Sequence, residues 1–308
     1  MTLAADIRPI PLSLVDDDLA AAAQAFGDAF SRTGFAVVAD HGIDPAVIER
    51  ALAATRAFFA LPEAVKRCYH VVGQGGARGL TPFGIETAKD ATTSDLKEFW
   101  HVGRTLPEGH PYRAVMPDNL WPAEVPDFHP SVQALYDALD FAGRRVLRAI
   151  AVHLEQPPAF FEDPVHDGNS VLRLLHYPPV PADAPGIRAG AHEDINVITL
   201  LLGAEEAGLQ LLDRQGEWRS IDAPPGSLVC NIGDMLQRLT GGRLPSTSHR
   251  VVNPAPERRG TARYSTPFFL HFRPDYVIEA LPGGVPAEPI TAHEFLMQRL
   301  REIKLLVL

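Results

Sequence analysis

The sequence predicts a mainly β core of sandwich or barrel type, jelly rolls included, with helices packed on either side. Three observations carry that expectation. After Gly168, short β-rich segments follow one another with Gly and Pro turns between them. Before it, apolar residues recur every three or four positions, the spacing of a buried helix face. Near the end, Phe295, Leu296, Leu300 and Ile303 share one side of a last helix over 291–305.

Leu19, Ala23, Phe26 and Phe30 define the first helix. Asp16 to Asp18 supply a capping carboxylate and Gly34 ends it. Phe35 to Val38 reads as a short buried strand, and Pro45 opens a second helix through Phe59. The most regular helix begins near Ser131. There Val132, Leu135, Leu139, Ala142, Val146 and Ile150 form one stripe, and Pro157-Pro158 stops it. Between these helices, 73–127 is rich in Gly, Pro and charge and reads as irregular, which in a folded domain points to function or to mobility. The strands then run 171–177, 196–202, 227–232, 249–253 and 263–272. A hairpin over 208–221 turns at Asp213-Arg-Gln-Gly216.

Bulk properties exclude several roles. The 308 residues carry a net charge of −10 and a pI near 5.6, which argues against binding a nucleic-acid backbone. Cys68 and Cys230 are the two cysteines, too few for a disulfide framework, and read as free thiols in a reducing compartment. The N-terminus lacks the basic start and apolar stretch of a signal peptide. The longest strongly apolar run, around Val197 to Leu202, is far short of a membrane span. A cytoplasmic protein without membrane partners is expected, its oligomeric state left open.

The chemistry is concentrated in the second half. In an extended segment residues i and i+2 point to one face, so His192 and Asp194 converge while Glu193 points away. His249 starts a later strand that a folded-over sheet can bring beside them. Two imidazoles and a carboxylate are the ligand set of a non-haem Fe(II) site with three open positions; Zn²⁺ accepts similar donors. Arg263 and Ser265, two apart, can grip a carboxylate on one strand face. His176 and His271 read as structural histidines.

Several motifs resemble those of the isopenicillin N synthase-like 2-oxoglutarate/Fe(II) dioxygenases. They are Ala191-His-Glu-Asp-Ile-Asn-Val-Ile-Thr-Leu-Leu-Leu202, Val229-Cys-Asn-Ile-Gly-Asp-Met235, Ser248-His-Arg-Val-Val252 and Arg263-Tyr-Ser265. Ser31-Arg-Thr-Gly-Phe-Ala-Val-Val38 with His41-Gly42, and Phe58-Phe-Ala-Leu-Pro62, are similar to that family's N-terminal region. The likeness runs from about residue 7 to 275. It implies a double-stranded β-helix (jelly-roll) core over 169–275. A helical region over 1–168 completes that core and a capping helix lies in 276–308, all packed as one unit.

The resemblance further implies Fe(II) held by His192, Asp194 and His249, and 2-oxoglutarate held at its distal carboxylate by Arg263 and Ser265 with Tyr177. Decarboxylation of that co-substrate would be coupled to oxidation of a small molecule by dioxygen, by hydroxylation in the default outcome, with desaturation or ring closure equally open. Two features depart from the pattern. Leu175 stands where many plant members carry an asparagine, and the 14 residues from His249 to Arg263 are a longer connection than usual. Substrate contacts are expected from the irregular region, with Arg78, Phe83, Lys97 and Trp100 as candidates beside Lys89, Glu98 and Arg104. Two alternatives stay open at this level: an Fe(II) oxidase of the same fold that needs no 2-oxoglutarate, and a non-catalytic metal-binding jelly roll.

Overall fold

The first half of the chain wraps one side of a sheet that the second half completes. The computed structural model describes residues 7–73, 76–85, 95–179, 187–202, 208–253 and 260–302. Strand β1 (Pro9–Pro11) and helix α1 (Leu14–Asp17) lead into α2 (Leu19–Thr33). The Asp18 carboxylate accepts the Ala21 amide at the start of α2, and Gly34 in the left-handed region (φ 72°) ends it. Strand β2 (Phe35–Ala39), α3 (Pro45–Phe59) and α4 (Glu63–Arg67) follow.

Within the stretch that reads as irregular in sequence lie β3 (Gly79–Thr81) and β4 (Glu98–Gly103). All six residues of β4 are buried, so it shows no alternation of polar and apolar positions to reveal it. The long helix α5 (Phe128–His153) presents the predicted stripe. Val132, Leu135, Leu139, Val146 and Ile150 are fully buried, each contributing roughly 1.5–3 kcal/mol of transfer free energy. Helix α6 (Glu162–Val165) turns the chain into the β half.

Among the described residues the main sheet has nine strands. Its order is β1-β2-β10-β7-β13-β5-β4-β3, with β12 also paired to β5. The new members are β5 (Val171–Tyr177), β7 (Ile198–Leu202), β10 (Leu228–Ile232), β12 (Arg263–Ser265) and β13 (Pro267–Leu270). A second sheet, β6-β11-β8-β9, is built from β6 (Ala189–His192), β8 (Leu209–Leu212), β9 (Trp218–Ser220) and β11 (His249–Val251). The segment 263–272, expected as one strand, is split. Among the described residues β12 pairs with β5 alone, whereas β13 lies between β5 and β7.

Side-chain alternation assigns the two faces of the main sheet. Ala36, Val38, Leu172, Leu174, Ile198, Leu200, Cys230, Phe268 and Leu270 join the core shared with the helices. The intervening Phe35, Val37 and Val229 pack against Leu211 and Ile221 of the second sheet. The two sheets thus form the double-stranded β-helix, and its interior is the inner face of β5, β7, β10 and β13. Helix α7 (Asp234–Leu239), the ribbon β14 (Val277–Ile278) with β15 (Ile290–Thr291), and α8 (Ala292–Glu302) close one end. Among the described residues no helix is long and apolar enough to cross a membrane.

Candidate metal centre and co-substrate pocket

His192 ends β6 and His249 begins β11, and the two are paired directly across the ladder with ring centroids 4.4 Å apart. Asp194, just past β6, places Oδ1 3.8 Å from Nε2 of both imidazoles. One ligand atom from each of the three lies within 4.8 Å of the others, a cluster that could close around a single metal ion.

The remaining atoms of these side chains are already engaged. The Nδ1–H of His192 donates to the Gly190 carbonyl at 2.8 Å, and that of His249 to the Thr247 carbonyl at 3.1 Å. A carbonyl can only accept, so each Nδ1 carries the proton and each Nε2 keeps its lone pair for a metal. Asp194 Oδ2 accepts from the Thr199 hydroxyl and from Asn231 Nδ2 at 2.8 Å, which leaves Oδ1 turned to the imidazoles.

Electrostatics agree with this arrangement. Partial desolvation among the packed ligand side chains, and then the neighbouring His249, push His192 down to a pKa of about 4 even though part of its ring stays exposed, so it is neutral at pH 7. Burial alone would raise Asp194, but His249, His192, Asn231 and Thr199 together hold it below its usual value and ionised. A neutral His192 beside an ionised Asp194 suits a divalent cation.

Arg263 stands opposite Tyr177 in the β12–β5 ladder, and Ser265 opposite Leu175. The guanidinium carbon lies 5.1 Å from the Tyr177 ring centre, and that of Arg188 lies 5.8 Å from it. Arg263, Ser265, Tyr177, Leu175 and Arg188 are all buried. The Leu175 side chain packs with Phe99 and Tyr177, an apolar wall where a hydrogen-bond donor was absent from the sequence.

The substrate candidates are dispersed. Lys97 pairs with Asp95 at 2.8 Å, both buried, and Asp95 Oδ1 accepts the Gly190 amide of the ligand-bearing strand at 3.2 Å. Arg78 is buried and donates to the carbonyls of Pro117 (3.1 Å) and Ala77 (2.7 Å). A Cβ on Gly103 would meet its Nη2 at 1.9 Å. Trp100 is fully buried in an aromatic cluster, with ring centres 4.6 Å from Phe58 and 5.3 Å from Phe128, on the helix side of the sheet. Phe83 is 46% exposed. Glu98 also faces the helices, where Lys66 Nζ and His176 Nδ1 each reach it at 2.8 Å. Arg104 pairs with Asp140. Lys89 lies outside the described residues.

Sequence reasoning passed over the partners of Asp194. A lone threonine in the apolar run of β7 and a lone asparagine in β10 were the available signals, because a polar residue inside a buried strand needs a partner. It also passed over Arg173, whose Nε donates to His101 Nε2 at 2.6 Å and whose guanidinium lies 4.2 Å over Phe99 and 5.2 Å over Phe269. Phe269 pairs with Thr199, so this group shares the inner face with the Asp194 network.

A jelly roll carrying two imidazoles and a carboxylate with their outer nitrogens anchored defines the class of non-haem Fe(II) oxygenases. Residues 6–124 match the N-terminal region described as that of a non-haem dioxygenase in morphine synthesis, and residues 168–272 match the 2OG-Fe(II) oxygenase superfamily. The chain is 36% identical to the 2-oxoglutarate-dependent dioxygenase citB of Monascus ruber, over 96% of this chain and 93% of that protein. It is similar to the crystal structure of a 2OG-Fe(II) oxygenase family protein from Caulobacter crescentus, with a TM-score of 0.91 and 58% identity over 97% of this chain and 99% of that one. It is also similar to a full-length Neurospora crassa protein crystallised in complex with alpha-KG, with a TM-score of 0.84 and 30% identity over 96% and 95%. The chain belongs to the 2-oxoglutarate/Fe(II)-dependent dioxygenase family. It is an oxidoreductase that uses Fe(II), 2-oxoglutarate and dioxygen to oxidise a small molecule.

Proposed function

We propose that His192, Asp194 and His249 hold the iron, that Arg263 and Ser265 with Tyr177 take the distal carboxylate of 2-oxoglutarate, and that a small ring compound is hydroxylated on the open part of the inner face. The observation that carries this reading is the donor triad, converged within 4.8 Å with both Nδ1 atoms and Asp194 Oδ2 committed elsewhere. When bound, the iron supplies dioxygen activation driven by oxidative decarboxylation of 2-oxoglutarate to succinate and CO₂.

The protein groups divide the work by accessibility. The buried end of the inner face, with Arg263, Ser265 and Tyr177, suits a co-substrate held away from water, where a guanidinium binds a carboxylate through two charge-assisted hydrogen bonds. Further along the same face Val171, Arg173 and Phe269 are only partly buried, and His192 keeps 41% of its side chain exposed. That end suits entry and recognition of the substrate. Phe269 offers a ring to stack on and Arg173 a donor for a carbonyl or carboxylate edge. The Neurospora crassa protein has been solved with thymine and with 5-formyluracil, planar rings of this kind, which supports the substrate class. The acidic chain, with net charge −10, supports an enzyme that does not act on nucleic acid.

The test is a screen of nucleobases and small aromatic acids for succinate release. Release that depends on Fe(II) and rises with one such compound is expected. Equal succinate release with and without every compound, or release that ignores iron removal, would overturn the reading.

A further inference from the structure

We infer that the C-terminal helix is part of the frame of the metal centre, and that Arg299 is a positioning residue bracing the segment that carries His192 and Asp194. The inference rests on the assignment of those residues as ligands. Arg299 lies in the last turns of α8. Its Nη2 is 2.8 Å from Asp234 Oδ2 and 3.9 Å from Glu193 Oε2. Glu193 is the residue between the two ligands, so one guanidinium spans from the ligand strand to the start of α7.

Asp234 is tied to the same segment through its backbone. Its amide donates to the Asp194 carbonyl at 2.7 Å, and the Met235 amide reaches the carbonyls of Ile195 at 3.2 Å and Asn196 at 3.1 Å. The Gly233 amide donates to Val197 at 2.9 Å, and a Cβ on Gly233 would lie 2.1 Å from the Asn196 carbonyl oxygen. Residues 194–197 are therefore stitched to 233–235 at van der Waals distance. The position of one fixes the other.

The Asp234 side chain that Arg299 meets is 7% exposed, so the guanidinium reaches a carboxylate held away from solvent. At its other end α8 is docked independently. Ala292 donates to the Tyr276 carbonyl at 2.8 Å, His293 to that of Pro274 at 2.9 Å, and Phe295 is buried under Arg238. The helix thus has a fixed root, and its last turns deliver a charge to the ligand segment. Groups that orient ligands in this indirect way typically contribute about tenfold or more to metal affinity.

The experiment is an anaerobic titration with Mn(II), a redox-silent stand-in for Fe(II), followed by electron paramagnetic resonance. Arg299→Met is expected to raise the Mn(II) dissociation constant about tenfold, and Arg299→Lys to restore most of the loss. Arg273→Met removes a solvent-exposed pair with Asp163 and Asp275, away from the ligands, and is expected to stay within about twofold of the parent. Binding by Arg299→Met within that same margin overturns the inference. The double variant Asp234→Asn/Arg299→Met leaves no unpaired buried charge; it is read in the same way should the single variant not fold. Failure of the ligand assignment has a different signature: the parent does not bind Mn(II), or Asp194→Ala binds it equally well.

Discussion

Replacing Arg263 by Met tests the co-substrate pocket more sharply than any change at the iron. The guanidinium is 4% exposed and stands opposite Tyr177, with the Ser265 hydroxyl two residues along the same strand face. A carboxylate gripped there gains two charge-assisted hydrogen bonds, each contributing about 1.5–3 kcal/mol. Because their energies do not add fully, a net loss of about 3 kcal/mol is expected, or roughly a hundredfold weaker 2-oxoglutarate binding. Met keeps a long unbranched side chain at this buried position, so the fold should survive. Arg263→Lys keeps the charge but not the fork and should fall about tenfold. The assay is a titration of 2-oxoglutarate into the anaerobic Fe(II) protein, with Mn(II) affinity measured alongside, because Arg263 is not among the three donors. A 2-oxoglutarate dissociation constant within about threefold of the parent would refute the pocket; a parallel loss of Mn(II) binding would show general disruption instead.

Three further outcomes follow from the geometry. Thr199→Val is nearly isosteric and removes one of two hydrogen bonds to Asp194 Oδ2; Mn(II) affinity should drop about tenfold, and an unchanged value would mean the hydroxyl does not orient the ligand. Lys66→Met leaves the buried Glu98 carboxylate with His176 alone and should cost about 3 kcal/mol in urea unfolding, most of it recovered in Lys66→Met/Glu98→Gln. Equal stabilities of the single and double variants would contradict this. Burial pushes His271 down to a pKa of about 4, so its folded form resists protonation while the unfolded chain takes a proton near pH 6.5. Its contribution, about 3 kcal/mol, is therefore complete above pH 6.5 and lost as pH falls towards 4. His271→Phe should reduce the slope of metal-free stability between pH 5 and 6 by about 1.4 kcal/mol per unit, whereas an unchanged slope would place the titration elsewhere.

How much of this was legible in the sequence depended on whether the information was local. The stripe of α5 and the Asp18 and Gly34 ends of α2 are written in neighbouring residues, and the structure has them within a few positions. The proximity of His192 and Asp194 was suggested by their spacing together with His249 and Arg263 downstream, although Asp194 lies just past β6 and not within the strand. Strand β4 was not, because Lys66, 32 positions upstream, neutralises Glu98 and lets a charged residue sit inside a sheet. The same distance problem hid Asn231, which finds Asp194 across 37 residues, and the split of 263–272, which depends on neighbouring strands. Trp100 looked available for a ligand because an aromatic in an irregular stretch carries no mark of its face. The ladder with Leu174 turns it towards α5.

The most direct measurement is the visible spectrum of the anaerobic protein with Fe(II) and 2-oxoglutarate. A weak charge-transfer band should appear in the parent chain, vanish in Asp194→Ala, and require far more 2-oxoglutarate in Arg263→Met. A band of full strength in the aspartate variant, at the parent's 2-oxoglutarate concentration, would contradict the account.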